Sequence, residues 1–144
     1  MHINEVFENH PTTFSFEFFP PKTEKAAQQL YSTISDLMPL DPGYVSVTYG
    51  AGGTTRELTH DLVVKIQKDL GITVVSHLTC VGSTADEIHQ ILERYRKNGI
   101  QNIMALRGDP PKGEDHFVQP EGGFANATEL VAFIHEHFPD MGIG

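Results

Sequence analysis

The 144-residue sequence predicts an α/β fold, and within that class a (β/α)8 TIM barrel of which roughly the first four βα units are present. Segments with strand character recur roughly every 30 residues, which is the length of one strand–helix unit. Amphipathic segments with helical periodicity lie between them, and this alternation is typical of parallel βαβ units. Polar side chains also share one face of the strands near their carboxyl ends, where barrel active sites are built.

Four segments are predicted to be strands. In the first, phenylalanines alternate with Ser15 and Glu17, which is the two-residue period of a strand with two different faces. Pro20 and Pro21 follow, and proline cannot donate a hydrogen bond to a neighbouring strand. Glu17 is therefore expected at the carboxyl end of a buried strand. The predicted ranges are Thr13–Phe18, Tyr44–Thr48, Thr73–Thr79 and Asn102–Arg107.

The segments between the strands are predicted to be helices, each with apolar residues at helical spacing and recognisable ends. Gly71 and Gly99 follow two of them and suit helix C-caps. Ser83 and Asp86 have the spacing of a capping box at the start of another. The predicted ranges are Thr23–Met38, Arg56–Leu70, Ser83–Asn98 and Asn126–Phe138.

Parallel βαβ units form either a doubly wound sheet or a barrel. A doubly wound sheet is covered by helices on both faces and favours apolar runs in its strands. The first three strands instead end in polar residues, including Glu17, Thr48 and Thr79, which favours a barrel mouth. Complete barrels run to about 250 residues. Residues 1–144 are therefore expected to be a single domain forming the amino-terminal half of a barrel, whose last residues approach a missing fifth strand.

Composition and charge argue against several classes of function. The net charge of −9 disfavours binding to nucleic acids or to anionic membranes, since both require a basic surface. Met1–His10 lacks the pattern of a signal peptide, and no apolar run approaches the ~20 residues of a membrane span. Cys80 is the only cysteine, which fits a reducing compartment. The sequence therefore predicts a soluble, acidic, cytoplasmic protein.

Reactive or polar residues follow each predicted strand. Because the carboxyl ends of parallel strands meet at one edge, these side chains are expected to line one rim. The connection that ends near Asn126 is longer than most βα loops and is predicted to be a lid or a binding loop. The residues at the strand ends are Glu17, then Thr48-Tyr49-Gly50, then His77, Thr79 and Cys80, and then Arg107-Gly108-Asp109.

Taken singly, most of these residues are also compatible with a structural role. Glu17 and Arg107 could be members of interior ion pairs, and His77 could be a satisfied core histidine. Asp109 could serve only as a turn residue. Gly50–Thr55 is interpreted as a plain βα turn, because the lysine of a phosphate-binding loop is missing.

No metal site is predicted. His135 and His137 are two residues apart on a predicted helix, so their side chains face different directions. Cys80 has no partner motif and is interpreted as a small, buried hydrophobic residue.

Four motifs together resemble the methylenetetrahydrofolate reductase family, in the order and at the spacing that this family shows. They are Phe16-Glu17-Phe18-Phe19-Pro20-Pro21, Val47-Thr48-Tyr49-Gly50-Ala51-Gly52-Gly53, His77-Leu78-Thr79-Cys80 and Ala105-Leu106-Arg107-Gly108-Asp109. The resemblance covers the whole chain. It implies an FAD-containing (β/α)8 barrel that reduces 5,10-methylenetetrahydrofolate to 5-methyltetrahydrofolate, with NADH or NADPH as electron donor.

The resemblance also implies roles for particular residues. Glu17 matches the general acid that protonates a folate nitrogen and opens the five-membered ring, a role that suits a carboxyl group among phenylalanines and away from water. Asp109 matches an aspartate beside the flavin and the pterin, where its charge would make the reduced flavin a better donor. Ala127 opens the last predicted helix, whose amino terminus can face a phosphate. The positions that match FAD contacts are Thr48, Tyr49, His77, Leu106, Arg107, Gly108, Asp109 and Ala127.

The implied reaction is ping-pong: the nicotinamide reduces FAD and leaves, folate binds in its place, and a hydride passes to the methylene carbon. The family's remaining FAD contacts, and much of its folate and nicotinamide site, belong to strands five to eight. This chain alone is therefore expected to be inactive, and the full-length protein to be a homo-oligomer. Two alternatives are a catalytically incomplete half-barrel that serves as a fragment or assembly module, and a flavin-free pterin-binding barrel such as a pterin methyltransferase.

Overall fold

The structure, a computed structural model, describes residues 1–49, 53–110 and 113–144, and only the backbone of residues 53–55. No helix in these described ranges is long and apolar enough to cross a membrane. The strands are β1 (Ser15–Phe18), β2 (Tyr44–Val47), β3 (Thr73–Thr79), β4 (Asn102–Leu106) and β5 (Gly142–Ile143). The helices are α1 (Ile3–Asn9), α2 (Glu24–Leu37), α3 (Gly53–Leu70), α4 (Ala85–Lys97) and α5 (Ala127–His137), with a 3-10 helix at Met38–Leu40.

The five strands form one parallel sheet in the order β1-β2-β3-β4-β5. Each strand therefore pairs with the next one in the chain, whereas a doubly wound sheet reverses its order at a switch point. Because crossovers between parallel strands are right-handed, a sequential order places the connecting helices on one face of the sheet. The predicted α/β class is confirmed, and the strand order is that of a partial (β/α) barrel.

The two faces of the sheet have different surroundings. Val45, Val47 and Leu78 point to one face and are buried in the main apolar core with Ile66 of α3 and Leu92 of α4. Successive side chains of a strand point to opposite faces. Their neighbours in the strands therefore point to the other, inner face, which corresponds to the interior of a barrel.

Helix α1 covers the amino-terminal end of the inner face and was not predicted from the sequence. Ile3 and Val6 are buried against Val75 of β3. The buried amide oxygen of Asn102, at the start of β4, accepts a hydrogen bond from the Ile3 backbone N–H at 2.8 Å. A helix of seven residues has too few apolar positions to show a clear period.

The predicted capping box of α4 is wrong by one residue. The Thr84 hydroxyl accepts from the Glu87 N–H at 3.2 Å, and the Glu87 carboxylate accepts from the Thr84 N–H at 2.8 Å. Ser83 is buried instead, and its Oγ accepts a hydrogen bond from the Arg56 guanidinium at 3.2 Å. Serine and threonine both cap helices well, so the local sequence does not choose between these two starting points.

Both ends of the sheet differ from the prediction. The expectation of a buried first strand is wrong, because β1 is an edge strand that pairs only with β2 among the described residues. Phe14, predicted to be in this strand, precedes it and is 68% exposed, while Phe16 and Phe18 are half-buried. At the other end the fifth strand is present, because Gly142–Ile143 pairs in parallel with β4.

Cys80 is buried in the core, which confirms its interpretation as a small hydrophobic residue, whereas its expected place at the rim is wrong. Its Sγ lies 3.5 Å from the carbonyl oxygen of Leu106 and 3.4 Å from that of Asn126. Burial is the main cause that raises the pKa of this thiol. The side chain thus packs the end of β4 against the start of α5.

A buried polar pair links the outer face of the sheet to α4. Ser76 Oγ donates a hydrogen bond to Tyr95 Oη at 2.8 Å, and both side chains are buried. Burial raises the pKa of Tyr95 to about 12.

We expect Tyr95→Phe to lower the free energy of unfolding by about 1–3 kcal/mol, because the Ser76 hydroxyl loses its partner in the core. Urea denaturation measures this change.

Tyr31→Phe is the matched control, because the Tyr31 hydroxyl donates to Asp69 near the surface at 3.3 Å. This variant is expected to lose only about 0.5 kcal/mol. Equal losses in the two variants would contradict the account of the buried pair.

Candidate active site

An open cleft of about 510 Å³ lies at the carboxyl ends of strands β1 to β4. Its lining combines carboxylate, imidazole and hydroxyl groups with apolar side chains. The lining residues are Glu17, Thr48, Tyr49, His77, Thr79, Val81, Leu106, Gly108, Asp109 and Pro110. The structure therefore brings together Glu17, Thr48, Tyr49, His77, Leu106, Gly108 and Asp109 among the residues that the sequence marked as candidates.

The strand register explains this convergence. Glu17 of β1 lies opposite Ser46 of β2, and Thr79 of β3 lies opposite Leu106 of β4. All pairs are parallel, so the carboxyl ends of the strands point the same way. The polar residues at these ends consequently share one edge of the sheet, as in the mouth of a barrel.

Glu17 contacts two neighbouring strands. Its Oε2 accepts a hydrogen bond from Ser46 Oγ at 3.3 Å and lies 3.1 Å from His77 Nε2. The Glu17 side chain is 59% exposed, whereas that of His77 is 9% exposed. The expectation that water is excluded from Glu17 is wrong for the described residues, because β1 is an edge strand and its inner face is open there.

His77 presents a buried ring nitrogen to the cleft. Burial lowers the pKa of His77, and the negative charge of Glu17 opposes this effect. The contact between His77 Nε2 and Glu17 has the distance of an ion pair but lacks the alignment of a hydrogen bond, so Nε2 has no aligned partner among the described residues. A lowered pKa keeps the imidazole neutral near pH 7, with one nitrogen still able to bond a ligand.

Gly108 allows β4 to end close against β3. Its φ is +85°, and a Cβ at this position would lie 2.6 Å from Val81 Cγ2 and 3.0 Å from Thr79 Cβ. A larger residue would both strain the backbone and collide with the neighbouring strand end. The glycine thereby permits the turn that carries Asp109 to the cleft.

Tyr49 lines the cleft and also a second groove of about 300 Å³ between α3 and α4. The Arg56 guanidinium lies 5.6 Å from the centre of its ring. Burial raises the pKa of Tyr49, and the positive charge of Arg56 partly offsets this increase. The predicted turn at Gly50–Thr55 is wrong for residues 53–55, whose backbone already belongs to α3, and residues 50–52 lie outside the described residues.

Two predicted cofactor contacts, Arg107 and Ala127, do not line the cleft. Arg107 is exposed, its Nε donates to the Gly108 carbonyl oxygen at 3.2 Å, and its guanidinium lies 5.4 Å from the centre of the Phe117 ring. Ala127 begins α5, and Asn126 caps this helix by accepting from the Glu129 N–H at 3.0 Å.

The long connection from β4 to α5 contacts the start of α4. The Gly122 carbonyl oxygen accepts from the Ala85 N–H at 2.8 Å, and the Gly123 N–H donates to the Pro120 carbonyl oxygen at 2.9 Å. Residues 111 and 112 of this connection lie outside the described residues. Its role as a lid or binding loop stays a prediction.

Thr79 lines the cleft, as expected of a strand-end residue, and Ser46 contacts Glu17 although no role was predicted for it. Both belong to the polar pattern of the strands, so their place on the inner face was predictable. The contact between Ser46 and Glu17 depends on the register of β1 against β2, which joins residues 29 positions apart. No local pattern in the sequence specifies that register.

A partial (β/α) barrel with a polar cleft at the carboxyl ends of its strands has the arrangement of a barrel enzyme. A family model described as methylenetetrahydrofolate reductase matches residues 2–144. The chain therefore belongs to the methylenetetrahydrofolate reductase family, and its predicted membership is confirmed.

Curated relatives agree with this family. The chain is 45% identical over 138 residues to methylenetetrahydrofolate reductase (NADH) 1 of Arabidopsis thaliana, an alignment covering 96% of the chain and 23% of the relative. It is 43% identical over 122 residues to 5,10-methylenetetrahydrofolate reductase of Escherichia coli, covering 85% of the chain and 39% of the relative. The chain thus spans between 23% and 39% of the length of these two relatives.

The packing at Gly108 gives a test of the cleft geometry. We expect Gly108→Ala to lower the free energy of unfolding by about 1–3 kcal/mol, because the added methyl group meets Val81 and Thr79. Gly113→Ala is the matched control, because Gly113 also has a positive φ of +98° but no atom of the described residues lies within 4 Å of the added Cβ. Urea denaturation of both variants separates the collision from the backbone strain, and an equal loss would contradict the packing described here.

Proposed function

We propose that the protein containing this chain reduces 5,10-methylenetetrahydrofolate to 5-methyltetrahydrofolate, with FAD as cofactor and NADH or NADPH as electron donor. The observation that carries this proposal is the meeting of Glu17, His77 and Asp109 in one cleft at the strand ends. The names of the relatives support the reaction, and that of the Arabidopsis thaliana relative specifies NADH.

The reaction needs a proton donor beside a hydride donor. Opening the five-membered ring of the substrate requires protonation of one of its nitrogens, which an acid within hydrogen-bond reach supplies. We assign this role to Glu17, because its carboxyl group lines the cleft and has access to solvent protons. His77 is assigned to orient that carboxyl group through its 3.1 Å contact.

The residues of the cleft fit a flat, conjugated cofactor with polar edges. Leu106 and Val81 supply apolar surface, and His77 Nε2 is a buried polar atom without an aligned partner among the described residues. Gly108 leaves room for a close approach of the backbone. When bound, FAD supplies the two-electron chemistry that links the nicotinamide to the folate.

The proposed holding residues come from three strand ends. Thr48, Tyr49, His77, Leu106 and Gly108 line the cleft and are assigned to the cofactor. Arg107 and Ala127 are proposed as contacts outside the cleft lining, where the amino terminus of α5 can face a phosphate.

Asp109 is proposed to place a negative charge beside the cofactor. Its carboxylate is exposed and lies on the opposite side of the cleft lining from β1, at the end of β4. A fixed negative charge at this point opposes the build-up of further negative charge, and so favours hydride donation.

The length of the relatives supports a further part of the proposal. We propose that residues 1–144 form one domain, the amino-terminal half of the barrel, and that turnover also requires the other half. The open inner face beside β1 agrees with this view, since Glu17 is 59% exposed. The cytoplasmic location and the homo-oligomer stay predictions.

Replacing Glu17 tests the proposed proton donor. In the flavin-loaded enzyme that carries this chain, we expect Glu17→Gln to slow folate reduction by about 10²–10⁴-fold, because the amide cannot donate the proton. Reduction of the flavin by NADH should keep its rate, since that step needs no proton from this group. Anaerobic stopped-flow spectroscopy measures the two half-reactions separately.

Glu8→Gln is the matched control, because Glu8 is an exposed carboxylate on α1 and does not line the cleft. This variant should leave both half-reactions unchanged. If Glu17→Gln slows both half-reactions to the same extent, Glu17 is not the specific proton donor.

A further inference from the structure

Ser46 is a buried residue on the inner face of β2, and the proposed function assigns no role to its hydroxyl group. It lies opposite Glu17 in the register of β1 and β2, and it is 5% exposed. Its only hydrogen bond from the side chain among the described residues is donated to Glu17 Oε2. A buried hydroxyl that donates its hydrogen bond to a carboxylate restricts the position of that carboxylate.

Both polar contacts of Glu17 go to the same oxygen. Ser46 Oγ lies 3.3 Å and His77 Nε2 3.1 Å from Oε2. Within the described part of the chain, Oε1 has neither a hydrogen bond nor an ion pair. The two neighbouring strands therefore distinguish the two oxygens of this carboxyl group.

We propose that Ser46 is a positioning residue that, together with His77, holds Oε2 as the acceptor oxygen and leaves Oε1 to carry the transferable proton. This inference rests on the proposed role of Glu17 as proton donor. A protonated carboxyl group has one carbonyl oxygen and one O–H. The Ser46 hydroxyl donates to Oε2 and the His77 ring nitrogen lies 3.1 Å from the same atom, which favours Oε2 as the carbonyl oxygen and places the proton on Oε1.

On the protein side, the proton transfer requires only Glu17, Ser46 and His77. The Oε1–H bond of Glu17 breaks, an N–H bond forms on one substrate nitrogen, and the ring C–N bond to that nitrogen opens with its electron pair on it. The lone pair of the other ring nitrogen forms the C=N bond of the iminium, whose carbon then accepts the hydride. The negative charge left on Glu17 is stabilised by the Ser46 hydroxyl and, with a hydrogen on Nε2, by the His77 ring. Because the side chain is 59% exposed, water can return the proton to the carboxylate.

The test replaces Ser46 with alanine in the flavin-loaded enzyme. We expect folate reduction to slow by about 10-fold, the effect of losing one hydrogen bond to a charged group, while flavin reduction by NADH keeps its rate. The midpoint of the pH profile of folate reduction should move to higher pH, because the hydroxyl stabilised the ionised carboxylate more than the protonated acid. The other charged or titratable groups of the cleft, Tyr49 after β2, His77 from β3 and Asp109 after β4, are unchanged in this variant.

Two further variants separate positioning from folding. Ser46→Thr keeps the hydroxyl, so its pH profile should match that of the parent enzyme. Ser46→Cys keeps the size of the side chain but its thiol donates weakly, so its profile should move to higher pH. The cysteine variant thus provides the test if the alanine variant does not fold. Ser15→Ala is the matched control, because Ser15 shares the face of Glu17 on β1 but is exposed and is not part of the cleft lining.

An unchanged pH profile in both the alanine and the cysteine variants would overturn the role of Ser46, and so would an equal slowing of the two half-reactions. If Glu17→Gln abolishes folate reduction while the Ser46 variants behave like the parent, only the role of Ser46 fails. If Glu17→Gln leaves folate reduction intact, the proposed proton donor itself is wrong, and the role of Ser46 fails with it.

Discussion

Parallel pairing in sequential order is the constraint on which the rest of this structure depends. It gives every strand the same direction, so that β1 to β4 deliver their last side chains to one edge. It also places the connecting helices on one face of the sheet, opposite the inner face. Glu17, His77 and Asp109 come from positions far apart in the chain, and only this topology brings them into one lining.

The inner face changes character along the strands. At the amino-terminal end, Ile3 and Val6 of α1 seal it with apolar contacts, and the buried Asn102 amide anchors the helix. At the carboxyl end it carries a carboxylate, an imidazole and hydroxyl groups. This division agrees with the general behaviour of barrels, in which stability is concentrated at one end and chemistry at the other.

Much of this arrangement could be predicted because it follows from short-range periodicity in the sequence. The two-residue alternation of Ser15 and Glu17, and the spacing of the strands, specify faces and units without any tertiary information. Other features depend on tertiary structure instead. Glu17 is exposed because its strand lies at the edge of the sheet, and its contact with Ser46 depends on strand register. The packing of α1 on Val75 joins residues that are distant in sequence. The choice between Ser83 and Thr84 as the cap of α4 was settled by Arg56, a residue 27 positions away from Ser83.

We propose that the strand ends of this chain form part of a flavin site for folate reduction. The most direct measurement is the visible absorbance of the purified holoprotein under anaerobic conditions, first with NADH and then with 5,10-methylenetetrahydrofolate. We expect a flavin band that NADH bleaches and that the folate restores, with 5-methyltetrahydrofolate as product. A protein without a flavin band, or a bleached band that the folate does not restore, would contradict it.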